Sequence, residues 1–230
     1  MNKDDALQNT AGLLKAVSYF SNMDAAALKL VAQSATCRVY DAGQVILLEG
    51  EPCAGLYIVE SGWLKVVKIG MDGREQVLQT LGPGDVFNAI SVFTEAPNQA
   101  TVTALETSGV WIVRREVLLS MMDEHPALTR QVVKDLAGRV MHLVRMVEDL
   151  SLRSVEARLA RLLLEQAEGE VVQRRRWATQ AEMAARLGTV PDVVNRALRK
   201  LAEAGLIHVE RQQIRILDKE GLIVIAQVAE

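Results

Sequence analysis

Within "PDVVNRALRKLAEAG" four polar residues, Asp192, Asn195, Arg196 and Arg199, stand at i, i+3, i+4 and i+7. On a helix this spacing gathers them on one face. Val193, Ala197, Leu198 and Leu201 supply the apolar side. The chemistry open to the polar face is hydrogen bonding to base edges. Arg forks onto guanine O6 and N7, Asn pairs with adenine, and a carboxylate accepts from cytosine N4. A helix that buries one side and presents this set on the other is equipped for a DNA major groove.

Such a helix needs neighbours to aim it. Upstream, Thr179-Gln180-Ala181-Glu182 matches a capping box opening "TQAEMAARL". Gly188 ends that helix, Pro191 suits the first turn of the next, and Gly205 suits its C-terminal cap. "LIHVERQQIRILD" then reads as two strands around a polar turn. Helix, tight turn, helix and hairpin is the order of a winged helix-turn-helix. Arg211 and Arg215 on the hairpin, and Arg174 to Arg176 ahead of the module, are candidates for phosphate contacts. Charge agrees: from Val171 to Leu217 there are nine Lys and Arg against four Asp and Glu, whereas residues 1–150 hold 13 basic and 18 acidic residues. A basic C-terminal module on an acidic body points to a polyanion partner for that module alone.

The rest of the chain divides by period. Leu13, Leu14, Val17 and Phe20, then Leu28, Leu30 and Val31, mark helices over residues 11–35. From Cys37 onward, short β-branched segments are cut by Gly, Asp-Gly and Pro-Gly, and Asp72-Gly73 signals a hairpin. Many short strands so punctuated predict an antiparallel barrel or jelly roll. "PGDVFNAISVFTEAPNQATVTALE" interrupts them with a loop and a short helical turn. Apart from Glu95, the middle of that stretch carries no charge. A long helix follows, opening at Pro126, with Val133, Leu136, Val140, Leu143, Val147 and Leu150 spaced 3-4-3-4-3. That is an a/d seam with β-branched residues at a, which favours a parallel dimer.

At 230 residues, 50% hydrophobic and 24% charged, the composition is that of a globular chain. No apolar run approaches the ~18–20 residues of a membrane span, and the N-terminus lacks the order of a signal peptide. A cytoplasmic protein without membrane association is expected, and two cysteines suit a reducing compartment. There is no Walker loop, nucleophile elbow, metal-spaced His/Glu motif or Gly-rich dinucleotide turn. With His125, His142 and His208 scattered, neither an enzyme nor a metal site is expected.

Taken together, "VILLEGEPCAGLYIVESGWLKVV", "LGPGDVFNAISVF", "ATVTALE" and "TQAEMAARLGTVPDVVNRALRKLAEAGLI" resemble the Crp/Fnr family of bacterial transcription regulators over about Leu13 to Leu217. The resemblance implies an α+β fold: an N-terminal β-roll (double-stranded β-helix or jelly roll), a long dimerisation helix and a C-terminal winged helix-turn-helix. The expected division is 1–125 as a cyclic-nucleotide-binding-like sensor, 126–152 as the dimerisation helix and 153–230 as the DNA-binding domain. It also implies a homodimer on a palindromic double-stranded operator, with RNA polymerase as a further candidate partner. Thr179, Gln180, Asp192, Asn195, Arg196, Arg199 and Arg211 are the expected DNA contacts.

Departures from the family pattern concern the effector. Its cyclic-nucleotide binders carry a Gly-Glu pair after the Pro-Gly-Asp joint, then an Arg-Ser or Arg-Thr pair, which clamp the ribose hydroxyl and the cyclic phosphate. Here those positions hold Asn88 and Ala89, then Asn98 and Gln99. Two lost charge-assisted bonds at about 1.5–3 kcal/mol each weaken binding by some two to four decades, so cAMP is not the expected effector. The cofactor stays open. The implied pocket comprises Asn88, Ala89, Ile90, Ser91, Asn98 and Gln99, with Leu143 and Val144 of the long helix. Some family members sense gases through haem, whose iron takes an axial His, Cys or Met. His142, Met146, Met71 and Cys53 are candidates here, so haem-based NO or CO sensing is one alternative. A regulatory subunit that does not bind DNA is another. A thiol switch at Cys37 or Cys53 lacks a flanking cation to lower either pKa.

Overall fold

The computed structural model describes residues 12–173, 175 and 177–227. Contacts divide the chain into two compact units. One holds the described residues up to Lys68 together with Leu78–Val140, and the other holds Ile69–Val77 with the described residues from Met141 onward. The division thus falls inside the long helix.

In the first unit, residues 12–16 are helical and lead through a turn into α1 (Ala25–Ser34). Asp24 caps α1, its carboxylate accepting from the Ala27 N–H at 2.8 Å. Leu14, Val17, Phe20, Leu28 and Val31 are buried as the spacing predicts, but Leu13 and Leu30 are exposed. The helical segments are short, so each buries only a narrow stripe.

Eight strands follow, with Ile69–Val77 of the β4–β5 hairpin counted in the second unit: β1 (Thr36–Tyr40), β2 (Val45–Leu47), β3 (Gly55–Ser61), β4 (Leu64–Ile69), β5 (Glu75–Leu81), β6 (Val86–Phe87), β7 (Thr101–Ala104) and β8 (Ser108–Arg114). They form two four-stranded sheets ordered β1-β8-β3-β6 and β2-β7-β4-β5. A short helix, α2 (Ala89–Thr94), interrupts the strands. The Asp72-Gly73 turn joins β4 and β5, with Gly73 at φ 78°. The two sheets enclose the β-roll expected from the punctuation.

The buried run "GLYIV" of β3 is a wall shared by two cores. Side chains alternate along a strand. Leu56 and Ile58 enter a core with α1 and the helices after the roll, whereas Tyr57 and Val59 enter the core between the sheets. β8 divides likewise, with Trp111 and Val113 on the helical side and Val110 and Ile112 between the sheets. In β6, Val86 faces the helices while Phe87 stacks on Tyr57 at 5.1 Å between ring centroids. A strand covered on both faces reads as a continuous apolar run rather than an alternating one.

α3 (Arg115–Glu124) and α4 (Pro126–Leu152) complete the helical layer. At about 1.5 Å per residue, the 27 residues of α4 span roughly 40 Å. Its first turns bury Leu128 and Val132. The Tyr19 hydroxyl donates to Asp135 Oδ2 at 2.7 Å, and Arg139 pairs with the same oxygen at 2.6 Å while donating to the Val86 carbonyl. Burial, then the Asp135 carboxylate, holds the Tyr19 phenol well above its usual range. Along the seam only Leu136 packs against the core; Val133, Val140, Leu143, Val147 and Leu150 are exposed.

The second unit contains α5 (Val155–Gln166), β9 (Val171–Gln173), α6 (Gln180–Leu187), α7 (Pro191–Glu203), β10 (Ile207–Val209), β11 (Gln213–Ile216) and α8 (Lys219–Gln227). The strands order β10-β11-β9, all antiparallel. Leu159, Leu163, Leu187, Val194, Leu201, Ile207, Ile214 and Leu222 are prominent in its core. Among the described residues no helix is long and apolar enough to cross a membrane.

Candidate nucleic-acid interface and effector joint

α6 and α7 are set by the local signals of their sequence. Thr179 caps α6, its hydroxyl accepting from the Glu182 N–H at 3.2 Å. Gly188 ends the helix at φ 61°, a conformation with little steric cost only for glycine. Pro191 opens α7, and Gly205 follows it at φ 73°. Glu182 is buried and pairs with Arg186, whose guanidinium lies 5.2 Å from the centroid of the Trp177 ring. Burial lowers the pKa of Arg186, and Glu182 opposes that shift.

α7 buries Val194, Ala197, Leu198 and Leu201. The inward residue at the first turn is therefore Val194; Val193, expected there, is only half-buried. Asp192, Arg196 and Arg199 are exposed and Asn195 is half-buried on the opposite side. Within the described residues neither Arg196 nor Arg199 is committed to a hydrogen bond, so both guanidinium forks remain available to a ligand. Thr179 and Gln180 are exposed at the start of α6, and Arg211 is exposed in the turn between β10 and β11. Arg215, on β11, is held by Glu210 at 3.2 Å. Of the three arginines before the module, Arg175 is exposed, while Arg174 and Arg176 lie outside the described residues.

Two side-chain contacts within this unit are invisible in sequence spacing. Arg158 of α5 donates from Nη1 to the Leu187 carbonyl at 2.5 Å, which satisfies an orphan acceptor at the end of α6. Glu156, two residues earlier, reaches Lys200 of α7. Both contacts link residues far apart in the chain, and the only sequence signal is charge inside an otherwise apolar helix.

In the roll, the joint after Pro83-Gly84-Asp85 turns its polar groups inward. Asn88 adopts a left-handed backbone, φ 67°, and its Nδ2 lies 3.1 Å from the Gly55 carbonyl, 3.2 Å from Asn98 Oδ1 and 3.3 Å from Cys53 Sγ. Asn98, only 3% exposed, donates from Nδ2 to the Leu48 carbonyl at 3.2 Å. Its backbone N–H donates to the Glu51 carbonyl at 2.8 Å, and its carbonyl accepts from Gly50 at 2.9 Å. Gly55 cannot be replaced here: at φ 152° an added Cβ would lie 2.2 Å from the Val113 carbonyl oxygen. Ser91 and Gln99 both donate to the Pro97 carbonyl, at 3.1 and 2.8 Å. Ala89 is buried and Ile90 exposed. Glu95, the one charge between Phe87 and Thr101, pairs with Arg115 at 2.6 Å, and Arg115 Nε also donates to the Val92 carbonyl at the end of α2. Neutral amides thus occupy this joint and answer one another. Asn98→Ala is expected to lower stability by about 1–3 kcal/mol, because the Leu48 carbonyl and an Asn88 N–H lose their buried partner. A urea unfolding curve checks this.

Leu143 and Val144 are exposed on the part of α4 that belongs to the second unit. Of the haem-ligand candidates, Met71 and His142 are exposed, Met146 is half-buried, and the Cys53 sulfur is engaged by Asn88. None of the four is buried. Cys37, exposed on β1, hydrogen-bonds Glu60 at 3.4 Å, and partial desolvation together with that carboxylate pushes its thiol up to about 11. A thiol so protonated at neutral pH is a poor redox sensor.

Comparison with known proteins agrees with both halves of this geometry. Residues 37–125 match the cyclic nucleotide-binding domain and residues 157–225 match the Crp-like helix-turn-helix domain. The class they define together is a DNA-binding transcription regulator. The chain is 29% identical over 216 residues to the CRP-like cAMP-activated global transcriptional regulator of Mycobacterium tuberculosis, covering 91% of this chain and 96% of that one. It is 30% identical to the cyclic AMP receptor protein of Thermus thermophilus, over 74% of this chain and 78% of the relative. A solved structure from Eubacterium rectale, assigned to the crp/fnr family, superposes with a TM-score of 0.74 at 24% identity, covering 93% of this chain and all of that one. The chain belongs to the Crp/Fnr family.

Proposed function

We propose that this regulator acts as a homodimer that reads a palindromic operator through paired α7 helices, and that its roll responds to an effector other than cAMP. Exposed Asp192, Arg196 and Arg199 with half-buried Asn195, backed by buried Val194, Ala197, Leu198 and Leu201, carry the reading of DNA. Arg196 reads guanine, Asp192 and Asn195 supply further base contacts, and Thr179, Gln180, Arg199 and Arg211 meet base edges or phosphates around them. Pairing along Val133, Leu136, Val140, Leu143, Val147 and Leu150 sets two such helices about one turn of DNA apart. In this division residues 1–125 sense, 126–152 pair and 153–230 bind DNA.

The Mycobacterium tuberculosis and Thermus thermophilus relatives are described as cAMP-activated and as a cyclic AMP receptor; here the joint offers neutral, mutually bonded amides instead of a guanidinium and a carboxylate. The effector is uncharged at this joint and works by shifting the population of helix-pairing states near Leu143 and Val144. Selection of duplexes from a random pool, followed by affinity measurement against salt, tests the DNA reading. A strong negative log–log slope with a recovered inverted repeat is expected, whereas a salt-independent, repeat-free outcome would remove it. Calorimetric titration with cAMP tests the effector reading. The expected dissociation constant is weaker than about 1 μM, equivalent to about −8 kcal/mol.

A further inference from the structure

We propose that Glu156 is a specificity-setting residue: its carboxylate keeps the Lys200 ammonium from the phosphate backbone on non-operator DNA, and so widens the gap between operator and random-sequence affinity. The inference rests on α7 being the DNA-reading helix.

Glu156 lies in the first turn of α5, where Ser154 caps the helix by accepting from the Ala157 N–H at 3.2 Å. Its Oε1 stands 2.6 Å from Lys200 Nζ, across 44 positions of sequence. Lys200 follows Arg199 directly and stands one helical turn beyond Arg196, on the flank of the reading face. The Lys200 hydrogen bond holds the Glu156 carboxyl below the usual carboxylate range, and the field of Arg196 adds to it. Glu156 is therefore within electrostatic reach of the proposed base-reading guanidinium as well as of the lysine.

The pair is not a stability device. The Lys200 and Glu156 side chains are 68% and 30% exposed, and ion pairs this wet contribute little to folding. Its consequence appears when a polyanion arrives. Non-specific binding is supplied almost entirely by lysine and arginine meeting phosphates. On random DNA the module is free to take whatever register gives most phosphate contacts, and a released Lys200 would add one. On the operator, base contacts from α7 fix the register and orientation. There Lys200 stays with Glu156, and its release changes little. The carboxylate thus removes a contact selectively from the competing sites.

The test is Glu156→Gln in the full-length chain. Binding is measured to the operator recovered by selection and to a random-sequence duplex of equal length, each across a salt series. The expected result is a several-fold gain on random DNA at low salt, with a log–log slope steeper by about 0.9, the signature of one more phosphate contact. Operator affinity is expected to change less than twofold. An unchanged random-DNA slope overturns the proposal, and so does an equal gain, or an equal loss, on both duplexes. Lys200→Gln in the Glu156→Gln background must abolish the gain; a gain that persists without Lys200 also overturns it. A wild-type chain with no salt-dependent DNA binding would instead remove the reading on which the proposal rests.

Discussion

Arg196→Ala is expected to weaken operator binding by about 1–3 kcal/mol, roughly 5- to 150-fold, and to relax one base position in a repeated selection. Arg196 is exposed on α7 opposite Val194, Ala197, Leu198 and Leu201, so its removal leaves no cavity in the core of that unit. A guanidinium fork matched to guanine O6 and N7 is worth that amount against the wrong base. Arg196→Lys separates charge from geometry. It keeps the cation but loses the fork, so operator discrimination should fall while the salt slope holds. Arg211→Ala is the contrasting case, expected to weaken operator and random DNA alike and to flatten the slope by about 1. Equal losses on both DNAs for Arg196→Ala would contradict a base-reading role.

Placing charge in the seam of α4 is expected to have the larger effect. Val140 and Val147 are 59% and 64% exposed in the single chain and belong to none of the three cores. Burying a valine side chain yields about 1.5 kcal/mol or more. In a parallel dimer each position meets its own copy, so Val140→Glu with Val147→Glu removes four apolar contributions and faces like charges across the axis. Glutamate is a good helix former, so α4 itself persists. A dimer by sedimentation should become a monomer. Operator affinity should fall by two or more decades, because tethering one half-site contact to the other is lost. The thermal transition of each unit should move little. A variant that stays dimeric would place the pairing surface elsewhere than this seam.

What sequence disclosed and what it withheld separate by range of interaction. The Thr179 cap, the left-handed Gly188, Pro191 at the start of α7 and the Asp72-Gly73 hairpin are local, and each was legible because the governing atoms lie within a few residues. The order of roll, long helix and winged module followed from period and punctuation. The choice between Val193 and Val194 was not legible, since adjacent valines fit a 3.6-residue period almost equally and the packing of α5 and the wing decides which turns inward. Leu13 and Leu30 were misread for a similar reason, because apolar residues at a stripe's edge stay exposed when nothing covers them. The amide contacts among Asn88, Asn98, Leu48 and Gly55 join positions 10 to 50 residues apart. Substitution of the charged pair was visible in the sequence, but how the replacements satisfy each other was not.

That amide arrangement also bears on which substitutions the joint tolerates singly. A single change of Asn98 to arginine would insert a cation where a buried neutral group now bonds the Leu48 carbonyl and Asn88. Without an anion present, the guanidinium would lie desolvated and unpaired. A change at Asn88 alone would strip Asn98 of its donor. Each of these two changes made alone therefore leaves a buried polar group without its partner, so the two sites are coupled.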